Sequence, residues 1–293
     1  MAEGRVLRRL AGVGVAVPSP DETAAFLTDV LDFASSSNGT GSSDGTAHRE
    51  LTVDGDYGLG PPRRLLTLSV GDGPALTTLV FEATDAGLDE LARRLEARDM
   101  DAERLDDGGL RFEPPFGPTV ECLPSAVRLD DPLPPSNVRP RNLSHVNVKV
   151  PDPPAAVEFF GEVLGLRLSE DLDGRFFFMR VGSLHHDVGL RPGAASADLH
   201  HLAFEVEGWQ SFLTICDHLA SLGHQVEYGP GRHAPGHSLF VYLREPSSGL
   251  RLELCADMAV IDDVESFETI RRGIDRMKSV NVWGPAPPES FLD

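Results

Sequence analysis

Nine of the ten histidines in this 293-residue chain lie after residue 140, and three stretches there read as strands that carry a metal-type donor on one face. In "LSHVNVKV", Val146, Val148 and Val150 share one face, which leaves His145, Asn147 and Lys149 on the other. In "DLHHLAFEV", His200, Leu202, Phe204 and Val206 form the apolar face, so His201, Ala203 and Glu205 point the opposite way. In "LRLELC", Leu250, Leu252 and Leu254 are the apolar set and Glu253 faces away. A single imidazole or carboxylate on a strand face is ordinarily just solvated. Three of them on the non-helix faces of three strands converge if those faces line the hollow of one curved sheet. Two imidazoles and one carboxylate, with further coordination positions open, suit a non-haem Fe(II) centre that takes a substrate and dioxygen side by side. Strand parity makes His201 the donor of its pair and leaves His200 a partly buried structural residue beneath the helices.

The elements that must hold these donors are repeated. Residues 10–33, "LAGVGVAVPSPDETAAFLTDVLDF", and residues 143–166, "LSHVNVKVPDPPAAVEFFGEVLGL", each read as an alternating strand, a Pro-containing turn and an amphipathic helix. In the second copy Asp152 can cap the helix, Pro153 suits its first turn, and Phe159, Phe160, Val163 and Leu164 form its apolar stripe. The likeness continues through "LTTLVFEATD" against "LHHLAFEVEG" and ends in two strands that share Glu-Pro-x-x-Gly-x-x-x-Glu. Each half therefore reads as β-α-β-β-β twice over, an α+β fold with helices on one face of a strongly curved sheet. The expected organisation is an N-terminal module without a metal site (1–128), a linker "LDDPLPPSNVRPRN" (129–142), a metal-binding catalytic module (143–256) and a tail or lid (257–293). The tail is expected to hold one helix and a Pro-rich end, and "SSSNGTGSSDGT" (35–46) to form a surface loop. The first-half positions matching the three donors are Gly12, Thr78 and Glu121, so only the carboxylate persists and that half cannot hold the same metal.

Composition excludes several classes of partner. A formal net charge of −20 repels a phosphate backbone, which argues against nucleic acid. With only Lys149 and Lys278 as lysines, the acidic balance fits either adaptation to high salt or a well-solvated surface encoded by GC-rich DNA. The short apolar run near the N-terminus ends in Pro18 and Pro20, too soon for a membrane span or a signal peptide. Cys122, Cys216 and Cys255 form no disulfide framework, so a reducing cytoplasm is the expected compartment.

With these segments in place, the chain resembles the type I extradiol ring-cleaving dioxygenases of the vicinal oxygen chelate superfamily, which include catechol 2,3-dioxygenase and homoprotocatechuate 2,3-dioxygenase. The likeness is closest from residue 143 to about 256. It implies Fe(II), or Mn(II) in some members, held by His145, His201 and Glu253. "HHDVGL" is similar to the family's strand bearing the acid/base histidine, which implies that role for His186. "GPGRHAPGHSLFVY" resembles the segment that supplies His233 and Tyr242, which would hydrogen-bond substrate oxygens and assist catalysis. Asn147 matches a substrate-side asparagine, and Phe178 is expected to wall the aromatic ring. The implied reaction is cleavage of a catechol-type diol by dioxygen to a 2-hydroxymuconic semialdehyde type product, by a homo-oligomer, commonly a tetramer. Two features depart from the pattern: the end strand opens with Glu-Pro-Ser-Ser-Gly, one residue longer than usual, and Tyr228 stands where the homoprotocatechuate enzymes carry an arginine for the substrate's acetate. The alternatives are a glyoxalase-type isomerase or lyase, which would need a fourth protein ligand, and a protein that binds an aromatic molecule or drug without turnover.

Overall fold

The computed structural model describes residues 6–38, 48–53, 63–124, 133, 136–193, 198–273, 278 and 280–291. The first half runs β1 (Leu7–Val17), α1 (Pro20–Leu31), β2 (Ala34–Asn38), β3 (His48–Val53), β4 (Arg63–Val70), then β5 (Ala75–Ala83), α2 (Asp85–Glu96), β6 (Glu103–Arg104), β7 (Leu110–Phe112) and β8 (Thr119–Leu123). The second half repeats it: β9 (Asn142–Val150), α3 (Pro153–Phe159), β10 (Arg167–Leu172), β11 (Phe176–Arg180), β12 (Val188–Pro192), then β13 (Asp198–Glu205), α4 (Trp209–Ser221), β14 (Tyr228–Arg232), β15 (Leu239–Arg244) and β16 (Arg251–Ala256). A short strand β17 (Ile270–Arg272) follows. Each half thus builds two βαβββ units into one sheet, ordered β2-β3-β4-β1-β5-β8-β7-β6 and β14-β15-β16-β13-β9-β12-β11-β10-β17.

Local chemistry explains the helix starts. Ser19 accepts a hydrogen bond from the Glu22 amide ahead of Pro20, and Asp152 accepts one from the Ala155 amide ahead of Pro153. α3 passes into a π-helical turn, Phe160–Leu164, that ends at Gly165 with φ of 76°. This keeps Phe159, Phe160, Val163 and Leu164 buried. Apolar residues from both halves form one continuous core. Phe33 after α1 meets Phe204 of β13 edge to face at 5.2 Å, and Thr23 of α1 donates to Glu245 at 3.1 Å.

One expectation is corrected, and the tail gains a strand. Residues 35–38 of the expected loop are strand, because Ala34–Asn38 pairs in register with His48–Thr52; residues 39–46 lie outside the described residues, as do 129–132, 134 and 135 of the expected linker. In the tail, Ile270–Arg272 is a strand added in parallel to β10. Among the described residues of the tail, 278 and 280 are helical and Glu289–Phe291 forms a 3-10 turn; residues 274–277 and 279 lie outside the described residues. Among the described residues no helix is long and apolar enough to cross a membrane.

Because Phe33 and Phe204 join the cores of the two halves, Phe33→Ala is expected to destabilise the fold by about 3–5 kcal/mol. Urea denaturation followed by circular dichroism checks this; a loss below about 1 kcal/mol would mean the halves do not depend on that contact.

Candidate metal centre

The centre is assembled by strand register. β13 lies between β9, its antiparallel neighbour, and β16, its parallel neighbour. Ala203 is paired with His145 on one side and with Glu253 on the other. Residues directly opposite one another share a face, so His145 and Glu253 flank a methyl group, with His201 two residues along on that face. Ala203 is fully buried, and its small side chain leaves the space into which three longer ones lean.

The doublet differs from its parity reading. The β9–β13 register slips between Leu199 and His201, leaving His200 unpaired as a bulge. A bulge re-aims side chains. His200 therefore lies on the site side with His201, their ring centroids 5.0 Å apart, and lines the same cavity instead of packing beneath the helices. Between His201 and Ala203 the register is regular, and His201 joins His145 and Glu253.

His145 Nε2 and His201 Nε2 are 3.2 Å apart, and each faces Glu253 Oε2, at 3.3 and 3.1 Å. A divalent ion about 2.1 Å from three donors at right angles sets them about 3.0 Å apart. The triangle therefore has the size of one face of a metal's coordination shell. It is the one such group of His, Cys, Asp and Glu side chains among the described residues. The other carboxylate oxygen, Glu253 Oε1, is buried without a hydrogen-bond partner, His233 Nε2 standing off at 3.5 Å. Protonation states agree. Burial pushes His201 down to about 4 against the pull of Glu253. For Glu253, burial acts upward, but the surrounding histidines outweigh it and hold the carboxyl well below its usual range. Neutral imidazoles and an ionised carboxylate are the forms that bind metal.

Above the donors lies a cavity of about 390 Å³. Asn147, Phe178, His186, His233 and Tyr242 all line it. Asn147 has a buried side-chain oxygen with no partner, and it stands opposite Gly189, where an added Cβ would meet its amide nitrogen at 2.6 Å. Tyr242 donates to Glu253 Oε2 at 2.7 Å and lies 3.0 Å from His233 Nε2, while His233 Nδ1 reaches the Val280 carbonyl at 2.6 Å. Burial, and then Glu253, raises the Tyr242 phenol well above its ordinary range.

His186 sits in irregular backbone just before β12, which explains why alternation could not orient it. Its ring is 4.4 Å from that of His145 and 4.9 Å from Phe178. Burial, then the neighbouring His145, drives it well below the usual imidazole range. The next residue, Asp187, ties the segment down by accepting the Val181 amide at 2.7 Å.

Sequence reasoning missed three supporting groups. His185 Nδ1 lies 3.0 Å from His186 Nδ1, and its Nε2 lies 3.2 Å from the fully buried Glu170, which also contacts Arg272 of β17 at 2.7 Å. Glu170 follows a register slip in β10, so no alternation pattern could have revealed it. Arg251, two residues before Glu253, is buried against His200; its parity with Glu253 was the available signal. The tail closes the cavity through Val280, Ala286, Pro287 and Phe291. Tyr228 serves this closure, donating to the Pro285 carbonyl at 2.8 Å.

The fold and donor set define a class. Residues 142–254 match the family described as the Glyoxalase/Bleomycin resistance protein/Dioxygenase superfamily. The chain is 32% identical over 158 residues to metapyrocatechase 2 of Cupriavidus necator, covering 53% of this chain and 48% of that one. It is 31% identical over 157 residues to a manganese-dependent 2,3-dihydroxybiphenyl 1,2-dioxygenase of Geobacillus genomosp. 3, covering 50% of each. The chain thus spans about half the length of these curated relatives. Similar solved structures share the fold. Homoprotocatechuate 2,3-dioxygenase from Brevibacterium fuscum, in an anaerobic complex with 3,4-dihydroxyphenylacetate, superposes with a TM-score of 0.81 at 23% identity, covering 98% of this chain and 92% of that one. The Mn(II)-bound glyoxalase from Novosphingobium aromaticivorans superposes with a TM-score of 0.80 at 21% identity, covering 98% and 94%.

Removing any of the three donors, as in His145→Ala, His201→Ala or Glu253→Ala, is expected to weaken divalent-metal binding by more than about 100-fold, beyond the effect of losing an outer-shell partner. Ala203→Leu is expected to do the same while leaving all three donors in place, because the added side chain fills their meeting point. Equilibrium dialysis with metal analysis checks both; a fully loaded Ala203→Leu would show that the register argument is wrong.

Proposed function

We propose that this chain is an Fe(II)-dependent extradiol dioxygenase that opens a catechol-type ring beside its two hydroxyls, giving a 2-hydroxymuconic semialdehyde type product. The observation that carries this reading is the buried two-histidine, one-carboxylate triangle beneath an apolar cavity that also presents His186, His233 and Tyr242. The same donors accept Mn(II), and the manganese-dependent relative makes it the second metal to load. A metal bound there would acidify a chelated diol and bring it beside dioxygen.

The chain's own residues divide the remaining work. Phe178 and the apolar lining hold the ring and exclude water. Asn147 offers hydrogen bonds to substrate oxygens, and Tyr242, backed by His233, can turn its one O–H from Glu253 toward them. His186 has Nδ1 committed to His185, which leaves Nε2 as the atom that would take a hydroxyl proton and return it to an oxygen atom supplied by dioxygen, both of whose atoms end in the product. We further propose that residues 143–256 are the catalytic module, residues 257–293 its lid and the first module its support. A reducing cytoplasm and a homo-oligomer complete this reading.

The glyoxalase-type alternative calls for a fourth protein donor, and only three gather among the described residues. A pure binding protein has no use for a histidine held against the metal site with its own backing residue. Tyr228 is committed to the tail, which favours a ring without a carboxylated side chain; Arg175 and Arg191 also line the cavity, so homoprotocatechuate belongs in any substrate panel.

Enzyme loaded anaerobically with Fe(II) and given catechol, alkylcatechols, 2,3-dihydroxybiphenyl or homoprotocatechuate is expected to turn yellow on admission of air. Colourless mixtures with every diol, with Fe(II) and with Mn(II), would overturn the proposal. His186→Asn is expected to keep its metal and lose about 10²- to 10⁴-fold in turnover; rates within threefold of the parent would remove His186 from the mechanism.

A further inference from the structure

His201 is engaged on both edges of its ring. Nε2 belongs to the donor triangle, and Nδ1 lies 2.7 Å from His200 Nδ1. His200 Nε2 in turn lies 3.1 Å from the Phe291 carbonyl oxygen and 3.0 Å from a terminal nitrogen, Nη1, of Arg251. A carbonyl only accepts and a guanidinium only donates. The two Nδ1 atoms share one hydrogen, so one ring donates and the other accepts, and the Nε2 of His200 faces an acceptor and a donor at once. Its Nε2 can therefore serve the carbonyl or the guanidinium, not both.

The choice propagates. If His200 Nε2–H donates to Phe291, the bare Nδ1 of His200 accepts from His201 Nδ1–H, and His201 Nε2 carries a lone pair. If Arg251 donates to His200 Nε2, the proton sits on His200 Nδ1 and is given to His201 Nδ1. The proton of His201 is then on Nε2, where a metal would have to bind. No proton is gained or lost between the two arrangements; only its place on each ring changes. We infer that the C-terminal turn, by presenting the Phe291 carbonyl to His200, sets the histidine pair in the tautomer that lets His201 hold a metal ion, with Arg251 competing for the opposite one.

The turn is built to stay in place. The Ser290 carbonyl accepts from Arg251 at 2.6 Å and from Arg244 at 2.8 Å. The Phe291 ring packs on Tyr242 at 4.6 Å and beneath the Arg251 guanidinium at 4.8 Å. Arg251 is further held by Glu227 at 2.8 Å, which leaves Nη1 able to turn toward the His200 carbonyl at 3.5 Å. His200 is thus a positioning residue, and the last turn of the chain takes part in metal binding without contributing a ligand. This rests on the metal site alone and not on ring cleavage, so a protein that opens no diol would leave both measurements below intact.

The test uses the full chain labelled with ¹⁵N-histidine and loaded with Zn(II) as a diamagnetic probe. Long-range ¹H–¹⁵N spectra are expected to show His200 protonated on Nε2 alone; a His200 protonated on Nδ1, alone or together with Nε2, would overturn the inference. Zn(II) affinity by chelator competition is expected to fall about 10- to 100-fold in His200→Leu and on deletion of residues 289–293, and to stay within about threefold of the parent in His200→Asn, which keeps an acceptor near Nδ1. Parent-like affinity in His200→Leu would equally overturn it. The spectra need no variant, so they decide the matter even if a variant does not fold.

Discussion

Glu253 has no exposed surface, yet the histidines around it hold it ionised. An isolated carboxylate buried so deeply costs several kcal/mol. Much of the second half can be understood as the surroundings such a charge requires. β9 and β13 bring imidazoles to it, Tyr242 donates to it, and one of its oxygens is left with no hydrogen-bond partner. A divalent cation is the partner that completes this balance. The same charge also keeps Tyr242 protonated and so available as a donor.

Around this centre the imidazoles come in pairs. His200 stands behind His201, and His185 behind His186, each through an Nδ1–Nδ1 contact. Beyond each pair lies a charged residue and a piece of the tail: Arg251 with Ser290 and Phe291 in one case, Glu170 with Arg272 in the other. The tail therefore touches the backing residues of both site histidines as well as closing the cavity. Metal-binding histidines gain orientation and basicity from the partner of their second nitrogen; for His201 that partner is His200, whose far nitrogen meets the segment that also covers the cavity. Covering and tuning the site are one structural task.

The first half shows what the fold is without the chemistry. It repeats both βαβββ units and supplies half of a continuous core, but it carries Gly12, Thr78 and Glu121 where the second half carries its donors. It is tied to the second half by Phe33 against Phe204 of β13 and by Thr23, which donates to Glu245 just after β15.

Period-two alternation sorted His145, His201 and Glu253 onto one face, and the internal repeat exposed the order of elements; both are local properties, legible because side chains alternate strictly along a regular strand. The same reasoning failed wherever the strand was irregular. His200 lies on a bulge, Glu170 follows a register slip, and His186 precedes its strand, so counting residues could not say where they point. The role of Tyr228 was equally invisible, since it depends on where Pro285 lies. What the amino-acid sequence determined by itself was the donor set and the repeated scaffold, through alternation and composition. Only the tertiary structure decided that Ala203 is where the donors meet, that the two histidine pairs share protons, and that the tail reaches both. Those facts depend on register between strands and on contacts across 91 residues of chain, such as His200 with Phe291, which no local pattern encodes.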